Sequence, residues 1–223
     1  MSERKTKISI VIVHYNTPRY LKTCLNSIFE QTYKNIEVIF IDNNSPDKSG
    51  LEFVHLEYGH KPELIIVENL ENIGYGKAAN QGIRIAIEGK DAQEALTPDV
   101  NEIITGNFEK SDYVVITNPD IIYTPGYFEK VIERIEKDPQ IASITGKVYK
   151  YDFDRQMPTN IIDTVGLLAY KNRRIIDDGQ GLIDEGQFNE EAEVFGISGA
   201  CPLYMAKALE DVKVFGEYFD EDF

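Results

Sequence analysis

The stretch ISIVIVHYNTPRYLKTCLNSI, residues 8–28, passes from one periodicity to another within twenty-one residues. Ile8 to Val13 is a nearly continuous run of β-branched apolar residues. Such a run suits a strand buried on both faces, as in a parallel sheet. Thr17 and Pro18 then supply an N-cap and a proline at the first helical position. Leu21, Cys24, Leu25 and Ile28 follow at helical spacing and make one apolar stripe. Strand, polar turn, amphipathic helix is the opening unit of an α/β fold.

The pattern repeats outward from there. Ile36 to Ile41 (IEVIFI) predicts a second strand ending in the turn formers Asp42-Asn43-Asn44-Ser45-Pro46. A helix is expected over about 48–58, and a third strand over Glu63 to Val67. The glycine-bearing turn Asn72-Ile73-Gly74-Tyr75-Gly76 opens a helix over about 77–88. Ala79, Ile83, Ala86 and Ile87 are expected to face the sheet, with Lys77, Asn80, Gln81 and Arg84 on a wet face. Tyr113 to Thr117 (YVVIT) is another buried strand, ending in Asn118-Pro119-Asp120. Thr124-Pro125 repeats the helix-start signal, and Asp138-Pro139 stops that helix. Alternating strands and helices predict a doubly wound, mostly parallel sheet with helices on both faces. The polar segment 89–110, with Pro98 and Gly106, reads as a surface excursion carrying at most a short helix. After Ile141 the signal weakens to short extended pieces at 141–145, 147–151 and 193–197, with a last helix at 207–211.

Composition narrows the function. With 38 acidic against 23 basic residues the formal charge is −15, which argues against a nucleic-acid partner. A phosphate-bearing ligand on so acidic a chain needs local relief from a divalent cation, a helix N-terminus or a few placed cations. No apolar run approaches the roughly 20 residues of a membrane span, and residues 1–7 show no signal-peptide pattern. Two distant cysteines, Cys24 and Cys201, read as reduced, buried thiols of a cytoplasmic protein. The turn after the first strand has no glycine, which disfavours a nicotinamide-dinucleotide enzyme, and there is no P-loop. His14, His55 and His60 lack metal-ligand spacing.

In an open α/β sheet ligands bind beyond the carboxyl ends of the strands. Three such ends carry polar clusters here: His14-Tyr15-Asn16, Asp42-Asn43-Asn44 and Asn118-Pro119-Asp120. Together with SIVIVHYN, IDNNS, ENIGYGKAANQGI and VVITNPD in this order, they resemble the inverting family 2 glycosyltransferases, which have a GT-A-type, Rossmann-like fold. The later stretches DTVGLLAYKNRR, DDGQG, FGISGACPLYMAK and FDEDF resemble the rhamnosyltransferase-like branch.

That resemblance implies one catalytic domain over 1–223, with a donor half at 1–120 and an acceptor half at 121–223. It implies transfer of a sugar, with rhamnose the branch's preference, from a dTDP- or UDP-sugar to a saccharide or lipid-linked acceptor. Peripheral association with the inner face of a membrane goes with such an acceptor. His14, Tyr15, Asn16, Asp42, Asn44, Asn72, Lys77, Asn80, Asn118 and Asp120 fall at family positions around the donor. Asp42, at an exposed strand end, is expected to accept a hydrogen bond from the base. The family's metal-binding Asp-x-Asp appears here as Asn118-Pro119-Asp120, leaving Asp120 as the sole carboxylate ligand for Mg²⁺ or Mn²⁺. Two positions apart on an extended segment would aim both side chains at one ion. Ser198-Gly199-Ala200 resembles the acceptor-site loop, and Arg173-Arg174 reads as a hairpin tip. The family's general base follows the Phe-Asp-Glu-x-Phe motif by a few residues. It is therefore expected beyond Phe223 in a longer chain, with Asp220, Glu221 and Asp222 as poor substitutes. The alternatives are a non-catalytic sugar-nucleotide-binding module and a nucleotidyltransferase, the latter lacking its usual glycine-rich basic loop.

Overall fold

The computed structural model describes residues 6–92, 100–104 and 108–222. Pro98, Gly106 and Phe223 lie outside the described residues. Four parallel strands make the centre of a seven-stranded sheet: β1 (Ile8–His14), β2 (Ile36–Asp42), β3 (Leu64–Asn69) and β5 (Tyr113–Thr117). Each is the run of β-branched residues expected from the sequence. β4 (Val100–Ile104) closes one edge, antiparallel to β3. β11 (Leu203–Met205) and β6 (Ser143–Ile144) extend the other edge, β11 antiparallel to β5. The order is β4-β3-β2-β1-β5-β11-β6. The excursion thus contributes an edge strand, where the sequence pointed at most to a short helix.

Alternate residues of each strand feed two cores, as the two-residue period requires. Ile8, Ile10, Ile12, Val38 and Phe40 pack with helices α1 (Pro18–Phe29), α2 (Ser49–Tyr58) and α4 (Tyr127–Glu136). Val11, Val13, Ile39 and Ile41 pack with α3 (Tyr75–Glu88) and the short α5 (Ala206–Asp211). Helix α3 sits hard on the sheet. A Cβ added at Gly82 would lie 2.3 Å from Val11 Cγ1, so glycine permits this approach.

Three local expectations are corrected. Thr17 occupies the N-cap of α1 without making a capping hydrogen bond. Helix α4 starts at Tyr127 behind Gly126, which takes a left-handed conformation with φ 77°, later than Thr124-Pro125 announces. The segment 193–197 forms no strand, only an isolated bridge from Gly196 to Leu167. The unpredicted β8 (Met157–Thr164) is instead the longest strand among the described residues, paired with β7 (Val148–Asp152). A second hairpin, β9 (Leu167–Ala169) and β10 (Ile175–Asp177), has the exposed Arg173 and Arg174 at its tip. Among the described residues no helix is long and apolar enough to cross a membrane.

Candidate functional site

The chain runs from β1 outward through β2 to β3, then returns to place β5 on the opposite side of β1. That reversal opens a crevice at the strands' carboxyl ends. A cavity of about 460 Å³ lies there, lined by Val13 of β1, Tyr15 and Thr17 after it, Asn43 after β2 and Asn118 to Asp120 after β5. Asn72, Gly74 and Tyr75, at the entrance to α3, complete the wall with Tyr20 from α1. Of the residues expected around a donor, the structure brings Tyr15, Asn72, Asn118 and Asp120 to this cavity.

The remaining expected donor residues do not line it. His14 and Asp42 have fully buried side chains and bond to each other, Nδ1 to Oδ1, at 3.0 Å. The Thr17 backbone N–H donates to His14 Nε2 at 3.3 Å, so the ring proton sits on Nδ1 and goes to Asp42. Asp42 also accepts from Ser45 Oγ (2.6 Å), Ser45 N (3.2 Å) and Lys48 Nζ (3.1 Å). Burial pushes the Asp42 carboxyl up, but the bonds from His14, Ser45 and Lys48 outweigh it and hold the group at about 2. The expectation that Asp42 stands exposed and reads a base is therefore corrected. Its carboxylate is the internal brace of the loops that follow β1 and β2.

Asn16 and Asn44 are brace members too. Both take positive φ, 54° and 58°, which asparagine tolerates better than most residues. Asn16 Oδ1 accepts from Asp47 N, and Asn44 Nδ2 donates to the Leu70 carbonyl. Asn80 and Gln81 are buried, not on a wet face, because α3 is covered on that side by the chain's last described residues and by Asn69. Lys77 is exposed and outside the cavity wall.

Asn43 is the neighbour that sequence reasoning passed over. Its amide is saturated: Oδ1 accepts from Asn69 Nδ2 (3.0 Å) and Ile73 N (3.2 Å). Nδ2 donates to Asn72 Oδ1 (2.9 Å) and the Gly74 carbonyl (3.2 Å). Asn69 and Gln81 exchange two amide bonds, 2.9 and 3.1 Å, completing a chain from Gln81 to Asn72. Backbone partners fix its polarity. The Ile73 N–H and the Gly74 carbonyl set Asn43, and the Gly74 N–H, donating to Asn72 Oδ1, sets Asn72. Among the described residues Asn72 Nδ2 has no partner, and Asn72 lines the cavity. Only the crowding of asparagines at 43, 69 and 72 hinted at this in the sequence.

Asp120 is exposed, and among the described residues its carboxylate has no hydrogen bond or ion pair. Residues 119–120 form a turn after Thr117, closed by Ile121 N to the Asn118 carbonyl. The extended-segment argument for aiming Asn118 and Asp120 alike is thus corrected, although both reach the cavity. Beneath them, burial and then the Asp120 charge push the Cys24 thiol up to about 12, so it stays a neutral core thiol. Cys201 is likewise free and buried. Among the described residues no group of three or more His, Cys, Asp or Glu side chains could hold a metal by itself. Ser198 to Ala200 form the turn before β11, and Thr117 Oγ1 donates to the Ala200 carbonyl at 2.9 Å. This ties the expected acceptor loop to the strand that carries Asp120.

Comparison with known proteins accords with this geometry. Residues 9–88 match the family model Glycosyl transferase family 2. Glycosyltransferase GlyA of Streptococcus pneumoniae serotype 4 is 38% identical over 199 residues, 76% of this chain and 28% of that protein. Glycosyltransferase GlyG of the same organism is 29% identical over 146 residues, 65% of this chain and 40% of that protein. The chain thus spans less than half the length of these curated relatives. Among solved structures, S. aureus TarS 1–349 superposes with a TM-score of 0.57 at 17% identity, covering 92% of this chain and 49% of that one. The mannosyltransferase PcManGT from Pyrobaculum calidifontis, in complex with GDP-Man and Mn²⁺, gives 0.50 at 20% identity, covering 69% and 39%. Both carry the same mostly parallel α/β architecture.

Proposed function

We propose that this chain, a Glycosyl transferase family 2 match over residues 9–88, is the catalytic domain of a nucleotide-sugar-dependent glycosyltransferase. The observation that carries the proposal is the cavity at the β1/β5 reversal, with a carboxylate on its wall, Asp120, that has no partner among the described residues. The donor is a UDP- or dTDP-sugar. Tyr15 and Tyr75 offer aromatic surface for a base, and Asn72 Nδ2 offers a donor for one of its ring or phosphoryl oxygens. Rhamnose as the transferred sugar rests on the likeness of residues 163–174 and 195–207 to the rhamnosyltransferase-like branch. The acceptor is a saccharide or a lipid-linked saccharide, approaching past Ser198 to Ala200, where Gly199 leaves open space.

The donor set suits Mg²⁺ or Mn²⁺. Asp120 and Asn118 supply hard oxygens, and too few protein ligands are present to hold the ion without the diphosphate. A bound cation would neutralise charge gathering on the departing diphosphate. The chain's own part is to bind the nucleotide at the strand ends and to hold the anomeric carbon open to an acceptor hydroxyl from the opposite face, which inverts that carbon. Glu221 is not offered as the base, because its carboxylate is spent on Asn80 and Arg84.

The experiment is thermal unfolding with UDP, dTDP and GDP, each with and without Mn²⁺, followed by product analysis with the matching sugar nucleotides. A pyrimidine diphosphate at a hundredfold excess over its Kd should stabilise the fold by about 2.7 kcal/mol, and Mn²⁺ should enlarge the shift. Turnover should release free nucleoside diphosphate. No stabilisation by any of the three nucleotides would overturn the reading of the cavity, and release of pyrophosphate would replace glycosyl transfer by nucleotidyl transfer.

A further inference from the structure

Two adjacent buried amides on α3, Asn80 and Gln81, face different partners. Gln81 belongs to the amide chain that ends at Asn72 on the cavity wall. Asn80, with no exposed surface, grips the chain 139 residues later. Its Oδ1 accepts from the Phe219 backbone N–H at 2.9 Å, and its Nδ2 donates to the Phe219 carbonyl at 2.8 Å and to Glu221 Oε1 at 3.0 Å. This is the pairing a neighbouring strand would make, supplied by one side chain. Arg84, one turn on, adds an ion pair to Glu221 at 3.5 Å. At Gly76 an added Cβ would lie 2.8 Å from the Asp220 carbonyl, so the segment runs tight against the first turn of α3. Gly76 follows Tyr75, which lines the cavity.

We propose that Asn80 is a positioning residue. It mounts the segment Phe219–Asp222, with the exposed Asp220 and Asp222, against the first turn of α3, next to the cavity-lining Tyr75. Gln81, the next residue, positions the nucleotide side through Asn69, Asn43 and Asn72. One helical turn thereby registers the two halves of the site against each other. The proposal rests on the cavity being a nucleotide-sugar site, and it adds the device that aligns the acidic segment with it.

The inference has a double-dissociation test on the protein as it stands. Amide hydrogen exchange over 218–222 and the UDP or dTDP affinity are measured in wild type, Asn80→Ala and Gln81→Leu. Asn80→Ala should speed exchange at Phe219 by tenfold or more while leaving the nucleotide Kd within twofold. Gln81→Leu should weaken the nucleotide about tenfold while leaving exchange at Phe219 within twofold. A merely structural role for the two residues would move both readouts together in both variants, and that result overturns the proposal. So does unchanged exchange in Asn80→Ala. If Asn80→Ala does not fold, Glu221→Ala releases the same segment from the exposed side: faster exchange at 219–222 supports the clamp and unchanged exchange overturns it. Absence of nucleotide binding in wild type would instead sink the reading of the cavity, while the exchange arm still reports on the clamp.

Discussion

Replacing Asp42 by alanine separates a brace from a base reader. The wild-type carboxylate is fully buried and accepts from His14, Ser45 and Lys48. Its removal leaves His14 Nδ1–H buried with Ser45 Oγ at 3.2 Å as its remaining neighbour. Leaving a buried donor without its acceptor costs about 1–3 kcal/mol, which for a chain of this size lowers Tm by about 2–12 °C. The loss should depend on pH in a defined sense. Asp42 is depressed from 3.8 to about 2 in the folded protein, so its contribution is complete above the unfolded value and is lost as pH falls through the folded one. The gap in stability between wild type and Asp42→Ala should be flat from about pH 5 to 7 and narrow from about pH 4 towards 2. Differential scanning calorimetry across that range, with nucleotide titration at pH 7, reads both quantities. A Tm within about 2 °C of wild type, below the shift that even 1 kcal/mol gives, together with lost nucleotide affinity, would refute the brace and restore the direct contact expected from the sequence.

Asp120→Ala should leave Tm unchanged, since its exposed carboxylate has no partner among the described residues, and should abolish the Mn²⁺-dependent part of nucleotide binding; equal Mn²⁺ enhancement in variant and wild type in calorimetric titrations would remove Asp120 from the metal site. Thr17→Val should be neutral or stabilising in chemical denaturation, because the Thr17 hydroxyl is buried without a partner among the described residues, and it should weaken nucleotide binding, since Thr17 lines the cavity; unchanged affinity would take that hydroxyl off the ligand. Gly82→Ala should destabilise by about 1–3 kcal/mol despite alanine's better helix propensity, the new Cβ meeting Val11; a gain in stability would mean that α3 is not pressed onto β1 as described.

The four central strands and the helices between them were legible from residues alone. A parallel strand buried on both faces is apolar along most of its length, and each of these runs, from Ile8–Val13 to Tyr113–Thr117, is so written. The placement of a ligand crevice at the strand ends followed from that order, and the structure brings Tyr15, Asn72, Asn118 and Asp120 to it. Edge strands β4 and β11 were not legible, because short antiparallel edges carry mixed residues and borrow their hydrogen bonds from a partner already formed.

What only the tertiary structure decided was the direction in which polar side chains point. Asp42, Asn43 and Asn44 are consecutive and chemically alike, yet one is buried as a brace, one saturates an amide chain on the cavity wall and one fastens a loop. Asn80 and Gln81 looked like the wet face of a helix, since polarity in a sequence is silent on whether water or another amide satisfies it. Their partners lie 139 and 12 residues away, at Phe219 and Asn69, and only folding brings those partners within hydrogen-bond reach. Apolar burial needs no particular partner, so its periodicity can be read along the chain. A hydrogen bond needs one specific partner at one distance, and that is a property of the assembled structure.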